Sequence, residues 1–187
     1  MAHPPPYFFG YGSLVNRGTH AYPDARPAVA RGWRRVWRHL DDRAYAVLAA
    51  VPVAGCDIHG LIAAVPDADW AALDQREEAY DRVDAAGAVD HDLGAGAAMA
   101  IYTIPADKHR VASEQRPVLL SYLDVVVQGY LSVFGPDAAR QFFDTTDGWG
   151  WVQDDRAAPV YPRHQILNSG ERAFVDAELS ARGITRI

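Results

Sequence analysis

The sequence predicts an α+β fold. Short apolar runs of strand length, punctuated by glycine and proline, fill its first two-thirds. The last third changes period, with apolar residues at helical spacing. Strands followed by helices, rather than alternating with them, suggest a twisted sheet or small barrel with helices packed beside it. A chain of 187 residues is long enough to bury a core without covalent staples. No repeat, low-complexity tract or linker divides it. The expectation is therefore one domain over 1–187, with a β-rich part at 7–105 and a helical and strap-like extension at 117–187.

The elements follow in order. Tyr7-Phe8-Phe9 reads as a short buried strand over 7–11, and the glycines of Gly10-Tyr11-Gly12-Ser13-Leu14 as its exit. Residues 29–40 alternate well enough for a second strand carrying Trp33 and Trp37. Two more are expected at 45–51 and 58–65, separated by turn signals at Pro52 and Gly55. Asp67 offers an N-cap for a short helix running through Trp70 and Leu73 to Tyr80. Strand character returns at 82–89 and 99–104, around the Gly94-Ala95-Gly96 loop. Leu119, Leu120, Leu123, Val126, Val127, Tyr130, Leu131 and Phe134 form a helical stripe, preceded by Pro117 and stopped by Gly135-Pro136. Residues 137–145 suit another helix, and 147–163 an extended segment. Asn168 or Ser169 caps a last helix ending at Gly183, with Glu171 at capping-box spacing from Asn168.

Composition narrows the function classes. Apolar residues make up 49% and charged residues 22%, as in ordinary soluble globular proteins. A net charge of −6 argues against a nucleic-acid or polybasic membrane surface. The local exception is Arg31-Gly32-Trp33-Arg34-Arg35-Val36-Trp37-Arg38, read as an amphipathic strand whose arginines face water or pair with carboxylates. Cys56 is the single cysteine, so no intrachain disulfide forms. The start, Met1-Ala2-His3-Pro4-Pro5-Pro6, lacks a signal-peptide pattern, and no apolar run is long enough to span a bilayer. A cytoplasmic setting is the default. Asp90-His91-Asp92 is the tightest metal-capable group, but no paired histidine or cysteine accompanies it, so no metal is expected. Lys108, the only lysine, lies in a polar loop, and Schiff-base chemistry is not expected. Nothing in the sequence reports oligomeric state.

Two segments can carry chemistry. A strand ending in glycines presents backbone N–H groups without a Cβ in the way, able to hold a carboxylate or a developing oxyanion; the plainer reading is a strand-to-loop corner. Ser13 lacks the surroundings of a nucleophile elbow. Leu73-Asp74-Gln75-Arg76-Glu77-Glu78-Ala79-Tyr80 reads either as a solvated helix tail or as the source of one general acid/base carboxylate.

Together, Phe9-Gly10-Tyr11-Gly12-Ser13-Leu14 and, some sixty residues on, Leu73-Asp74-x-x-Glu77 resemble the γ-glutamylcyclotransferase-like superfamily. That superfamily includes γ-glutamylcyclotransferases, γ-glutamylamine cyclotransferases, ChaC-type enzymes and AIG2-like proteins. The resemblance implies a small mixed β-barrel flanked by helices, with a pocket at one barrel end. It implies a cofactor-free reaction on a small γ-glutamyl substrate, whose α-amine attacks its own γ-carbonyl to release 5-oxoproline and a free amine or amino acid. It assigns Glu77 as general acid/base and Tyr11, Gly12, Ser13 and Leu14 as the loop holding the γ-glutamyl group. Tyr102 lies on a strand where family members often place a pocket-facing aromatic. Tyr11 suits either pocket or core. Glu78, adjacent to Glu77, competes for the catalytic assignment, and Glu78-Ala79 departs from the ChaC-type pattern. The strap from Trp149 to Arg163 could drape over the pocket, with Arg163 meeting a substrate carboxylate; a plain surface strap is the alternative. The competing functions are a catalytically silent binding protein on the same fold and a deprotecting cyclotransferase for a specialised conjugate.

Overall fold

The computed structural model describes residues 4–94, 96–104, 110–111 and 116–187. Met1 to His3, Ala95 and Lys108, which figure in the readings above, lie outside the described residues.

The first strand, β1 (Tyr7–Gly10), leads into 3₁₀ turns at Ser13–Val15 and Arg17–Thr19, then β2 (Arg26–His39) and β3 (Val47–Ala64). A 3₁₀ turn at Pro66–Ala68 and helix α1 (Ala71–Arg76) follow, with β4 (Asp81–Asp84), β5 (Val89–Asp90), β6 (Met99–Thr103) and β7 (Arg110–Val111). The remainder holds β8 (Val118–Leu119), α2 (Leu120–Phe134), α3 (Pro136–Asp144), β9 (Thr146–Asp147), β10 (Val152–Gln153) and α4 (Ser169–Ala181). The main sheet runs β4-β6-β1-β3-β2-β5, with β7 and β9 also pairing with β2, and curls into a half-barrel. It is mixed: β1 pairs antiparallel with β3 (Tyr7↔Ala64) and parallel with β6 (Tyr7↔Met99).

β1 reads as an unbroken apolar run because both its faces are covered. All four of its residues are buried. Phe9 points into the main core, shared with Leu123, Val126, Tyr130 and Phe142 of the helices. Phe8 points the other way, into a smaller cluster with Leu14, Leu73 and Tyr102 under α1. Gly60 of β3 has no room for a side chain, since a Cβ there would lie 2.4 Å from the Gly10 carbonyl oxygen.

Three expectations are corrected. Pro52 and Gly55 do not reverse the chain; β3 is one 18-residue strand. Its pairing with β2 jumps from Arg31↔Asp57 to Trp33↔Pro52, so the intervening residues of β3 form an exposed excursion, with Gly32 and Gly55 at φ 73° and 78°. Proline is tolerated at such an irregularity because it has no ladder N–H to lose. The same irregularity inverts the alternation of β2. Ala28 and Ala30 face inward before it, whereas Trp33, Arg35 and Trp37 do so after it. Arg35 is thereby carried inside, at 1% exposure, instead of facing water or a carboxylate. It donates to the Tyr130 hydroxyl (2.8 Å), the His59 carbonyl (3.0 Å) and the Thr145 hydroxyl (2.5 Å), and its guanidinium packs over the rings of Tyr130 and Phe142. Two other stripe arginines behave as expected: Arg31 pairs with Asp57 and Asp90, and Arg34 with Asp147. Finally, Asp67 caps no helix. The side chain of Asp69 accepts from Ala71 N–H, and α1 ends at Arg76 rather than Tyr80.

The helical third follows its local signals. α2 begins after a two-residue strand, and α3 starts at Pro136 after Gly135 at φ 85°. The Asn168–Glu171 capping box on α4 is formed in both directions, at 2.9 and 2.8 Å. Gly129 of α2 lets the first 3₁₀ turn approach closely: a Cβ there would meet the Asn16 backbone nitrogen at 2.7 Å. Asn16 then donates to the Val125 carbonyl at 2.9 Å, locking α2 against the glycine loop. Among the described residues no helix is long and apolar enough to cross a membrane.

Candidate active site

Leu73 is fully buried and fixes the face α1 presents to the sheet. Four residues on, Glu77 terminates the helix, its N–H bonded to the Leu73 carbonyl at 2.9 Å. One turn of spacing keeps the two side chains on the same side, so Glu77 points inward and its neighbour does not. The Glu77 side chain is 16% exposed, that of Glu78 68%. Glu78 instead accepts from Arg43 at 3.0 Å.

Arg76 couples this helix end to the glycine loop. It pairs with Glu77 at 3.2 Å and donates to Ser13 Oγ at 3.1 Å and to the Thr19 carbonyl at 2.8 Å. The Ser13–Val15 turn uses the carbonyls of Gly12 and Ser13 for Val15 and Asn16 N–H. The turn itself supplies no acceptor for its own first N–H groups. Gly12 faces Tyr122 of α2: a Cβ would meet the Tyr122 hydroxyl at 2.6 Å. The Tyr122 ring stands edge-on to Trp37 and, at 5.0 Å and 90°, to Tyr161 of the strap.

Two adjoining hollows meet at Glu77. The smaller, about 30 Å³, is lined by residues 10–14 together with Glu77, Tyr80, Tyr102 and Tyr122, among others. The larger, about 600 Å³, is lined among others by Ser13, Glu77, Tyr80, Tyr122, Tyr161 and Arg163. Its volume is that of a small-molecule site. Burial pushes the Glu77 carboxyl above its ordinary pKa, opposed by the positive charges of Arg76 and Arg163. Burial likewise raises Tyr11, Tyr80 and Tyr122 well above the usual phenol value, so they stay neutral at physiological pH.

All six residues singled out from sequence come together here, in different ways. Glu77 and Ser13 border both hollows; Tyr11, Gly12, Leu14 and Tyr102 border only the smaller. The Tyr11 hydroxyl donates to the Tyr102 carbonyl at 2.7 Å, and the Tyr102 hydroxyl to Asp74 at 2.5 Å. Both phenols are thus engaged in holding β6 and α1 to the loop. The Leu14 side chain is core. The strap reaches the large hollow through Tyr161, Pro162 and Arg163, whereas Trp149 turns inward against Trp37 and Phe143.

Arg76, Tyr80 and Tyr122 were not selected as site residues from sequence. Tyr122 carried a usable signal: it is an aromatic lying off the core stripe of its own helix. Arg76 carried none, because an arginine beside two glutamates reads as a surface pair. Asp90 and Asp92 lie away from the site and pair with Arg31 and Arg26. Among the described residues no group of three or more His, Cys, Asp or Glu could hold a metal.

Residues 8–123 match the family described as gamma-glutamyl cyclotransferase, AIG2-like. The chain therefore belongs to that family. Among solved structures it is similar to one named gamma-glutamyl cyclotransferase, at 13% identity and TM-score 0.59, covering 92% of this chain and 98% of that one. An uncharacterized protein from Homo sapiens is similar at 12% identity and TM-score 0.60, over 93% and 99% of the two chains. YkqA from Bacillus subtilis shares 17% identity at TM-score 0.58, over 75% of this chain and 53% of its own. These likenesses establish the fold. No curated protein matches the sequence.

Proposed function

We propose that this protein is a cofactor-independent γ-glutamylcyclotransferase acting on a small γ-glutamyl amine or amino acid. The observation that carries the reading is Glu77, a largely buried carboxyl whose pKa is raised, at the junction between the glycine loop and a cavity of substrate size. The γ-glutamyl group lies against the loop, and its α-amine attacks the γ-carbonyl carbon. A C–N bond forms, closing the five-membered ring. Glu77 removes a proton from the attacking nitrogen and delivers one to the departing nitrogen as the old amide bond breaks. The N–H groups of Gly12, Ser13 and Leu14 stabilise the γ-oxyanion or grip the substrate carboxylate. Because the attack is intramolecular, the enzyme's main task is to hold the folded conformer, and a tyrosine-walled pocket suits that task. The working environment is taken to be the cytoplasm.

The test is release of 5-oxoproline from γ-glutamyl-alanine, γ-glutamyl-ε-lysine and glutathione. Release from at least one is expected, falling roughly 10²–10⁴-fold in Glu77→Gln, as for loss of a general acid/base, and little in Glu78→Gln. Activity surviving Glu77→Gln but not Glu78→Gln would reverse the assignment. Folded protein silent on the whole panel would favour a binding role.

A further inference from the structure

We propose that Arg163 selects the leaving half of the substrate, favouring γ-glutamyl conjugates whose departing amine carries a carboxylate; this rests on the reading above. Three arginines line the large cavity. Arg76 is engaged by Glu77, Ser13 and Thr19, and Arg43 by Glu78. Among the described residues, no hydrogen bond or ion pair engages the Arg163 guanidinium. Arg163 is an exposed residue on the wall of a substrate-sized space, and its guanidinium is a planar two-pronged donor, the geometry that matches a carboxylate.

Its position along the cavity fits the order of groups in such a substrate. Gly10, Tyr11, Gly12 and Leu14 of the loop border only the small hollow, Ser13 and Glu77 border both, and Arg163 borders only the large one. With the γ-glutamyl end at the loop and the scissile amide at Glu77, the leaving group extends toward Arg163.

The strap carrying Arg163 is pinned on both sides. Upstream, the buried Asp155 carboxylate accepts from Ser121 N–H (2.7 Å), Ser121 Oγ (2.5 Å) and Val160 N–H (2.8 Å). Tyr161 N–H donates back to Ser121 Oγ at 3.2 Å. Arg156 forks onto Asp124 with two bonds of 2.7 Å. Downstream, His164 N–H closes a turn on the Tyr161 carbonyl at 3.1 Å, and Gln165 reaches the Gly18 carbonyl at 3.3 Å. An arginine on so anchored a turn loses less freedom on meeting a ligand than one on a loose loop.

The experiment compares kcat/KM for γ-glutamyl-alanine and γ-glutamyl-alaninamide, which differ only in the leaving-group carboxylate. The wild type is expected to prefer the acid about tenfold, between the values for exposed and for charge-assisted pairs. Arg163→Gln should abolish that preference, and Arg163→Lys should restore part of it. Equal turnover of both substrates by the wild type, or an unchanged ratio in Arg163→Gln, overturns the proposal while leaving the cyclisation reading intact. If neither substrate yields 5-oxoproline, the cyclisation reading stands or falls on γ-glutamyl-ε-lysine and glutathione. Calorimetric binding of the same pair to the wild type and to Arg163→Gln then decides the arginine's role on its own, equal affinities overturning it.

Discussion

Gly12→Ala tests the close approach of the glycine loop to Tyr122. A Cβ at position 12 would lie 2.6 Å from the Tyr122 hydroxyl, 3.4 Å from Leu48 Cδ2 and 3.8 Å from Tyr122 Cζ. Only the hydroxyl distance is prohibitive. The phenol cannot move freely, because its ring is set edge-on to Trp37 and Tyr161. Overpacking a well-filled interior costs about 1–3 kcal/mol. Removing the oxygen should relieve the clash, since the remaining neighbours stand at ordinary van der Waals distance. The expectation for Gly12→Ala is therefore a loss of about 1–3 kcal/mol in the wild-type background and less than about 0.5 kcal/mol in a Tyr122→Phe background. Urea unfolding of the four proteins in the cycle measures the coupling directly. A Gly12→Ala cost that is the same in both backgrounds would refute the steric argument. Retention of full 5-oxoproline release by the single variant would show that the loop tolerates displacement of Tyr122.

The acid limb of kcat/KM should lie above the ordinary glutamate pKa of about 4.3, because burial holds the Glu77 proton more tightly. In Arg163→Gln that limb should move to higher pH, since a positive charge favouring the ionised carboxylate is lost; a shift to lower pH would contradict the assignment. A carboxyl whose pKa is raised by folding costs stability once pH climbs through its folded pKa. Glu77→Gln should accordingly melt no earlier than the wild type at pH 7, and an earlier melt would mean that its pair with Arg76 outweighs its burial. Asp155→Asn leaves at least one of three donors facing an amide N–H₂, at about 1–3 kcal/mol for each donor unsatisfied. It should lower the melting temperature and make the strap a site of limited proteolysis; a protease pattern like the wild type's would show that the strap is held by its other contacts.

The parts legible in the sequence were those set by local chemistry. The Asn168–Glu171 box, Pro136 after Gly135 and the stripe of α2 each fix an element within a turn or two of chain. β1 was legible because residues covered on both faces must all be apolar. The failures share a different cause. Arg35 goes inside because Gly32 sits in an irregularity that inverts the strand's phase, and that depends on the pairing of β2 with β3. Pro52 and Gly55 look the same in a hairpin turn as in an excursion from one long strand. For the site, the Leu73-Asp74-x-x-Glu77 resemblance favours Glu77 but leaves Glu78 a competitor; the packing of α1 separates them, Glu77 inward and Glu78 outward. Arg76 became visible only once α1 had been brought to the loop, whereas Tyr122, off the core stripe of α2, leaves a trace in the sequence.

The strand bearing the glycine loop comes first in the chain yet lies near the middle of the sheet, between β3 and β6. Its parallel partner begins at Met99, and Tyr122 lies further on still. During synthesis the loop emerges early; β3 and Arg76 can meet it next, but β6 and Tyr122 follow only in the second half of the chain. Contacts so distant in sequence are slow to form, because loop closure must come before they stabilise anything. The hairpin of β2 and β3 can therefore pair early, whereas the pocket waits for Tyr122, Tyr161 and Arg163, which line it from the last third of the chain.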